Sequence, residues 1–180
     1  MNNNIMKKLS LSELNRISTE DFKHKKKTPL IVILDNIRIM NNVGSIFRTA
    51  DAFAVAKLYL CGITATPPNK EITKTALGAT ESVDWEYRED VLMLVRELKA
   101  TGINSFIVEQ TDHSIMLQDF TPKNGETIAL ILGNEVFGVS DELLPEVAGA
   151  LEIPQFGTKH SLNVSIAGGI AIWEIFKKLA

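Results

Sequence analysis

From residue 30 to its end, the chain alternates short apolar runs with segments of helical periodicity. The run Leu30–Leu34 is apolar throughout, which is the pattern of a strand buried on both faces. Glu89–Ala100 places apolar residues at helical spacing and is followed by Gly102, a residue type that commonly ends helices. This alternation predicts an α/β fold, in which a mostly parallel sheet carries helices on both faces.

The same patterns predict the remaining elements. Apolar runs predict strands over residues 30–34, 58–61, 83–87, 103–108, 128–132 and 150–153. Helical patterns predict helices over residues 43–53, 72–77, 89–100 and 162–179, with a short one at 143–145. The last helix contains Gly168 and Gly169, and each glycine weakens a helix by about 1 kcal/mol relative to alanine. We therefore expect a close neighbour there, from the same chain or from a second subunit, and the apolar end of this helix adds to the case for a homodimer.

Residues 1–29 differ in character and predict an N-terminal arm, followed by a single domain over residues 30–180. Ser10-Leu11-Ser12-Glu13 is a capping-box pattern that predicts a short helix to about Ile17. The basic run Lys23-His24-Lys25-Lys26-Lys27 follows, and Thr28-Pro29 should break any helix. Two interpretations of the basic run stay open: a solvated arm or a local RNA contact.

The composition argues against several classes of protein. A net charge of −3 lacks the basic excess that is usual in nucleic-acid binders, although a local patch is enough. The one cysteine, Cys61, lies in an apolar run, which predicts a buried side chain, no disulfide and no metal cage. We expect a cytoplasmic protein, because no signal peptide or membrane-spanning run occurs. We expect no metal, because neither H-E-x-x-H nor a cysteine cluster occurs. The dinucleotide fingerprint G-x-G-x-x-G and the P-loop pattern are also absent.

Three polar segments carry the candidate chemistry, and the first is Asn41–Ala50, at the start of a predicted helix. Asn42 can cap that helix, and Gly44 leaves its first turn open to a ligand. Arg48 lies less than two turns after Asn42 and is the arginine best placed for chemistry. A surface salt bridge is the alternative role for Arg48.

The second segment, Gly133-Asn134-Glu135, directly follows the most hydrophobic predicted strand. Ligands of parallel sheets bind beyond the carboxyl ends of the strands, so an acid at this point is a candidate for the site. We expect Glu135 to hold Arg48 in place through a bidentate ion pair. An ordinary loop acid is the alternative.

The third segment covers residues 153–165. Pro154 ends a strand, Gly157 permits a tight loop, and Ser161 can cap the last helix. Asn163 then lies near the positive end of that helix, where an anionic group is favoured. Simple capping is the alternative explanation for Ser161 and Asn163.

Together, the three segments resemble the motifs of the SpoU or TrmH branch of the SPOUT RNA methyltransferases. Those motifs are N-x-G followed by an arginine, then G-N-E after an apolar strand, then I-P, G and S-L-N-V-S. The matching residues are Asn42, Gly44 and Arg48, then Gly133-Asn134-Glu135, then Ile153, Pro154, Gly157 and Ser161-Leu162-Asn163-Val164-Ser165. The matches follow the family's order over most of residues 30–180.

The resemblance implies a fold, a cofactor and an activity. The C-terminal part of the sheet would thread into a deep trefoil knot, and the protein would act as a homodimer that methylates a ribose 2′-hydroxyl of tRNA or rRNA. S-adenosylmethionine would be bound by the backbone around Gly133, Ile153 and Leu162. Arg48 would activate the hydroxyl, either as a base or by stabilising the developing alkoxide. The residues that would position Arg48 and the ribose are Asn42, Glu135, Ser161 and Asn163.

The chain departs from this family at Phe53-Ala54-Val55, where many relatives have a glycine after the first-motif helix. The loop Gly157–His160 is also more basic than the family pattern. Two further functions stay open from the sequence: a non-catalytic RNA-binding or assembly factor on the same scaffold, and a different small-molecule α/β enzyme.

Overall fold

The computed structural model of the chain describes residues 6–10 and 12–179, so Leu11 of the capping-box pattern lies outside the described residues. Within them the strands form one seven-stranded sheet in the order β3-β2-β1-β6-β4-β7-β5, and all neighbouring strands run parallel. The strands are β1 (Thr28–Asp35), β2 (Val55–Cys61), β3 (Trp85–Arg88), β4 (Asn104–Val108), β5 (Ile115–Met116), β6 (Ile128–Leu132) and β7 (Gly149–Glu152). The helices are α1 (Thr19–His24), α2 (Met40–Ala52), α3 (Lys70–Ala76), α4 (Ala79–Ser82), α5 (Val91–Ala100) and α6 (Val164–Leu179).

The core has two layers because β1 lies inside the sheet, between β2 and β6. Successive side chains of a strand point to opposite faces. Val32 and Leu34 pack with residues of α2 and α6, whereas Ile31 and Ile33 pack with residues of α5. The prediction of a parallel α/β fold with helices on both faces is confirmed, and the trefoil knot stays a prediction.

The predicted elements differ from the observed ones mainly at their ends. β1 begins at Thr28, inside the predicted arm, because the Thr28 N–H donates to the carbonyl of Ala54 at 2.8 Å. The strand predicted over residues 83–87 is β3, displaced toward its C-terminal side by the short helix α4. The two-residue strand β5 was not predicted, because its apolar run of three residues, Ile115-Met116-Leu117, is shorter than those that predict the other strands. Cys61 is buried, as predicted, and burial raises the pKa of its thiol to about 12.

The N-terminal arm is more closely attached to the domain than its sequence suggests. Only the glutamate half of the predicted capping box forms, because Glu13 accepts hydrogen bonds from the N–H and the hydroxyl of Ser10, both at 2.8 Å, whereas the Glu13 N–H donates to the Ser10 carbonyl. A short 3-10 helix over Ser12–Leu14 takes the place of the helix predicted to about Ile17. Phe22 on α1 is buried, and the Nζ of Lys27 lies 3.1 Å from the centre of its ring. Lys27 is therefore not a solvated charge, whereas Lys23, Lys25 and Lys26 are exposed.

The paired glycines of α6 have different environments. A β-carbon on Gly168 would lie 2.7 Å from a methyl group of Leu132, so the expected close neighbour belongs to the same chain. A β-carbon on Gly169 would meet no atom of the described residues within 4 Å. Among those residues, no helix has the length and apolar character needed to cross a membrane.

Ala54 occupies the turn between α2 and β2 with a φ of 48°. This is the left-handed region, where a β-carbon costs about 1–2 kcal/mol and glycine is preferred. The residue at this departure from the family pattern therefore has a strained backbone conformation.

We expect the substitution Ala54→Gly to raise the free energy of unfolding by about 1 kcal/mol, because it removes the clash of the β-carbon at positive φ. The matched control is Ala52→Gly, at an exposed position of α2, which should lower that free energy by about 1 kcal/mol. Urea denaturation measures both values. Equal losses of stability in the two variants would contradict the strain at Ala54.

Candidate active site

The carboxyl ends of β4, β6 and β7 border a cavity of about 330 Å³. Its lining includes all three residues that were predicted to bind a cofactor, Gly133, Ile153 and Leu162. Glu135 and Ser161 also line it, so the second and third sequence segments meet here. The position agrees with the rule that parallel sheets bind ligands beyond the carboxyl ends of their strands.

A tight loop over residues 133–138 forms one wall of this cavity. The N–H and carbonyl of Asn134 exchange hydrogen bonds with Gly138 at 2.8 and 2.9 Å, which closes the loop at its base. The side-chain oxygen of Asn134 accepts the N–H groups of Val136 and Phe137, at 2.9 and 3.2 Å. Gly133 is needed because a β-carbon there would lie 2.3 Å from the N atom of Val139. The wall is therefore fixed by backbone hydrogen bonds and by the side chain of Asn134.

The carboxylate of Glu135 connects the three sequence segments. One oxygen accepts the N–H of Arg38 at 2.9 Å, and the other accepts the N–H of Ile39 at 3.1 Å and the side-chain amide of Asn42 at 2.9 Å. The side-chain oxygen of Asn42 in turn accepts the amide of Asn163 at 3.1 Å. A continuous chain of hydrogen bonds thus runs from Glu135 through Asn42 to Asn163.

Glu135 is ionised at neutral pH. Partial burial opposes its ionisation, but the hydrogen bonds from the Arg38 N–H, the Asn42 amide and the Ile39 N–H outweigh burial and hold the pKa of the carboxyl below its ordinary value. The charge also lies at the N-terminus of α2, where the helix dipole favours an anion.

Two predicted helix caps are wrong. α2 begins at Met40 with Ile39 as its N-cap, so Asn42 lies inside the helix and Glu135 accepts the N–H of Ile39. Asn163, not Ser161, caps α6, because its side-chain oxygen accepts the N–H of Ser165 at 2.9 Å. Ser161 keeps an exposed side chain on the cavity wall.

The predicted ion pair between Glu135 and Arg48 is also wrong. The Glu135 oxygens are occupied by other donors, and no carboxylate in the described part of the chain pairs with Arg48. Arg48 is exposed, whereas Asn42 is buried on a different face of α2. Four of the five predicted catalytic residues therefore lie at or beside the cavity within a single chain: Asn42, Glu135, Ser161 and Asn163. The fifth, Arg48, does not line the cavity of its own chain.

Two acidic residues of this region were missed by the sequence analysis. Asp35 is fully buried at the end of β1 and accepts hydrogen bonds from the N–H and hydroxyl of Ser140, both at 2.8 Å. Glu109 follows β4 and lines the cavity. Each directly follows a strand predicted from the sequence, over residues 30–34 and 103–108. An acid just after a predicted strand is the signal that identified Glu135, and applying it to every predicted strand would have found both.

A model of the SpoU rRNA Methylase family matches residues 29–173, which covers most of the chain and all three polar segments. The chain belongs to the SpoU rRNA methylase family. No group of three or more metal-ligating acidic, histidine or cysteine side chains occurs in the part of this family member that the structure describes.

Curated relatives within the SpoU family include enzymes acting on two classes of RNA. The chain is 29% identical over 168 residues to the 23S rRNA (guanosine-2′-O-)-methyltransferase RlmB of Vibrio parahaemolyticus, covering 92% of this chain and 66% of the relative. It is 28% identical to the tRNA (guanosine(18)-2′-O)-methyltransferase of Thermus thermophilus, covering 91% of this chain and 82% of the relative. The chain spans about two thirds of the length of the RlmB relatives it matches.

Solved structures of SpoU-type proteins share this fold. The TrmH/SpoU tRNA modifying enzyme of A. aeolicus superposes with a TM-score of 0.78 at 26% identity, covering 89% of this chain and 81% of that one. The AdoMet-bound rRNA methyltransferase of Sinorhizobium meliloti gives a TM-score of 0.79 at 27% identity, covering 88% and 60%.

We expect Glu135→Gln to lower the free energy of unfolding by about 1–3 kcal/mol at pH 7, because a glutamine amide cannot accept all three hydrogen bonds. Since the folded-state pKa lies below the unfolded value of about 4.3, this stabilisation is complete above that pH and is lost as the pH falls through the folded-state pKa. Urea denaturation should show that the difference in free energy of unfolding between wild type and variant is smaller at about pH 3 than at pH 7.

The matched control is Glu142→Gln, which alters an exposed acid that makes no hydrogen bond within the described residues. It should be nearly neutral at both pH values. A Glu135→Gln effect that stays constant with pH would show that the carboxylate charge is not what stabilises this region.

Proposed function

We propose that the chain is an RNA methyltransferase that transfers a methyl group from S-adenosylmethionine to a ribose 2′-hydroxyl of tRNA or rRNA. The observation that carries this proposal is the chain of hydrogen bonds from Glu135 through Asn42 to Asn163, which joins all three family motifs beside one cavity. The relatives named for 2′-O-methylation support the same assignment.

The cavity has suitable properties for S-adenosylmethionine. Its volume of about 330 Å³ is within the usual range for small-molecule sites. Apolar side chains of Ile153 and Leu162 suit the adenosine portion, and Gly133 keeps the wall free of a side chain. The carboxylates of Glu109 and Glu135 complement a cationic ligand. When bound, this cofactor supplies a methyl group on positively charged sulfur, which is already activated for transfer.

The remaining task falls to the residues of the protein. The ribose hydroxyl gives up its proton to solvent water, and negative charge develops on its oxygen as the proton leaves. That oxygen then forms a bond to the methyl carbon while the bond from this carbon to sulfur breaks, so that neutral S-adenosylhomocysteine is the leaving group. We assign Arg48 to stabilise that charge, because a guanidinium stays protonated and cannot readily serve as a base. Ser161 would orient the ribose at the cavity wall, while Asn42, Glu135 and Asn163 hold the cavity rim in shape.

We further propose that the chain acts as a homodimer and that Arg48 works on the cavity of the partner protomer. α6 exposes an apolar stripe of Ile166, Ile170 and Trp173, which are 56%, 39% and 47% exposed, beside the open position at Gly169. The stripe starts near the cavity and ends beside Phe53, which directly follows α2. The ring centres of Phe53 and Trp173 lie 5.4 Å apart. A second copy on this stripe would approach both the cavity and the exposed face of α2 that bears Arg48.

The arm and the cavity are at opposite ends of β1. The exposed lysines of residues 23–26 precede the strand, whereas the site lies beyond its carboxyl end, and eight strand residues span about 25 Å. We propose that the residues before β1 form an arm that contacts RNA at a distance from the reacting ribose. The methyltransferase domain, expected from the sequence over residues 30–180, then begins two residues earlier, with β1 at Thr28. The activity belongs in the cytoplasm, where tRNA and rRNA are available.

Purified wild-type protein should transfer labelled methyl from S-adenosylmethionine to unfractionated tRNA or rRNA. Arg48→Ala should lower the rate about 10²–10³-fold, as loss of one charge-stabilising donor does, while the affinity for S-adenosylmethionine measured by calorimetry stays the same. Arg96→Ala, at an exposed ion pair with Glu146, is the control and should be fully active. Intact cofactor binding without methyl transfer to either RNA would refute the assignment. Absence of cofactor binding would favour the non-catalytic alternative.

The homodimer has its own test, by complementation. Arg48→Ala and Leu162→Trp, which fills the cofactor cavity, should each be inactive, yet their mixture should recover about a quarter of wild-type activity if Arg48 acts on the partner's cavity. Ile170→Asp should shift the protein to a monomer in sedimentation analysis and abolish that recovery. A dimer whose mixed variants stay inactive would place Arg48 and its cavity in the same protomer.

A further inference from the structure

A second cavity, of about 560 Å³, lies next to the cofactor cavity. The two share Asn134, Phe137 and Gly138, so the tight loop over residues 133–138 is a wall of both. The residues to which we assign catalysis do not line the second cavity, and its role is therefore separate from the chemistry itself.

A buried carboxyl group, that of Asp35, lies next to the lining residues Asn36 and Ser140 of this cavity and connects them by hydrogen bonds. Asp35 is fully buried, and one of its oxygens accepts the side-chain amide of Asn36 at 2.8 Å while the other accepts the N–H and hydroxyl of Ser140. The side-chain oxygen of Asn36 also accepts a hydrogen bond from the N–H of Ile63 at 3.1 Å. The backbone carbonyl of Asn36 accepts one from the side-chain amide of Asn134 at 2.7 Å. Segments from three different strand ends are thus fixed around one space.

The rim combines apolar surface with an unpaired cation. The side chains of Phe137 and Ile63 are 84% and 66% exposed, which is unusual for groups of this size. Arg38 is exposed, and no carboxylate within the described residues pairs with its guanidinium. Its backbone N–H is held by Glu135 at 2.9 Å, so the side chain projects from a fixed point beside the catalytic region.

We propose that this second cavity binds the base of one unstacked nucleotide of the RNA substrate, an inference that rests on the proposed function. Unpaired bases are recognised in proteins by stacking on aromatic and apolar side chains and on arginine, together with hydrogen bonds to the base edge. Phe137 and Ile63 supply the stacking surface and Arg38 donates to the acceptor edge of the base. Asp141, which also lines the cavity, repels phosphate but accepts hydrogen bonds from amino groups. The charges therefore favour a base that has both acceptor and amino groups, rather than a phosphate.

The shared wall explains why such a subsite would serve methylation. A nucleotide base held on one side of the loop fixes the RNA backbone close to the cofactor cavity on the other side. Binding of one base outside the reacting centre aligns the ribose hydroxyl without any additional catalytic group.

The test separates RNA binding from catalysis. Binding of fluorescently labelled tRNA and rRNA is measured directly, and the KM for RNA and the Kd for S-adenosylmethionine are measured alongside. Arg38→Ala should weaken RNA binding about 5- to 150-fold, as loss of a bidentate arginine contact to a base does, with the cofactor Kd unchanged. Ile63→Ala should weaken RNA binding in the same direction by a smaller factor. Arg38→Lys should restore it only in part, because lysine keeps the charge but not the planar fork.

Arg96→Ala, which removes another exposed guanidinium, on α5, is the control and should leave RNA binding unchanged. Unchanged RNA binding in both Arg38→Ala and Ile63→Ala would overturn this proposal and leave the proposed function intact, provided that wild type methylates RNA. Full rescue by Arg38→Lys would also overturn it, since a simple charge would then be sufficient. If wild type binds cofactor but methylates neither RNA, the proposed function fails, and the direct binding measurement still decides whether the cavity takes a base.

Discussion

One carboxylate, that of Glu135, holds the functional end of this molecule together. It accepts hydrogen bonds from two backbone N–H groups at the start of α2 and from the side-chain amide of Asn42. The side-chain oxygen of Asn42 in turn accepts a hydrogen bond from Asn163 at the start of α6. A helix start, a loop and a second helix start are joined in this way. Because the three donors share the carboxylate of Glu135, a change at this one side chain affects all of them at once.

A second acid, Asp35, also connects separate segments by hydrogen bonds, at the end of β1, which is the neighbour of β6 in the sheet. Its carboxyl group accepts hydrogen bonds from Ser140 and from Asn36. These bonds hold the second cavity's side of the loop over residues 133–138, whose other side faces the cofactor cavity. Buried or half-buried acids at successive strand ends are stable here because N–H, amide and hydroxyl donors surround them. The loop over residues 133–138 thus lies between two cavities, for which we propose different ligands: a small cationic cofactor in one and the base of a nucleotide in the other.

The sequence predicted best where the signal was local. β6 has the bounds expected for it, since a run of apolar residues between polar segments has few alternatives. The start of α2 was missed because its stabilising partner is Glu135, which is 97 residues away from Arg38. The ion pair expected between Glu135 and Arg48 failed for a related reason: the orientation of α2 turns Asn42 toward the acid and Arg48 toward solvent.

The amino-acid sequence by itself determined the parallel α/β architecture, the three motif segments and the family to which they belong, because apolar periodicity and motif spacing are properties of short stretches of chain. Only the tertiary structure decided which donors each carboxylate receives, which of two adjacent glycines in α6 has a neighbour, and that Arg48 lies outside the cavity of its own chain. Those outcomes depend on how distant segments are oriented when they pack, and no local pattern encodes that orientation.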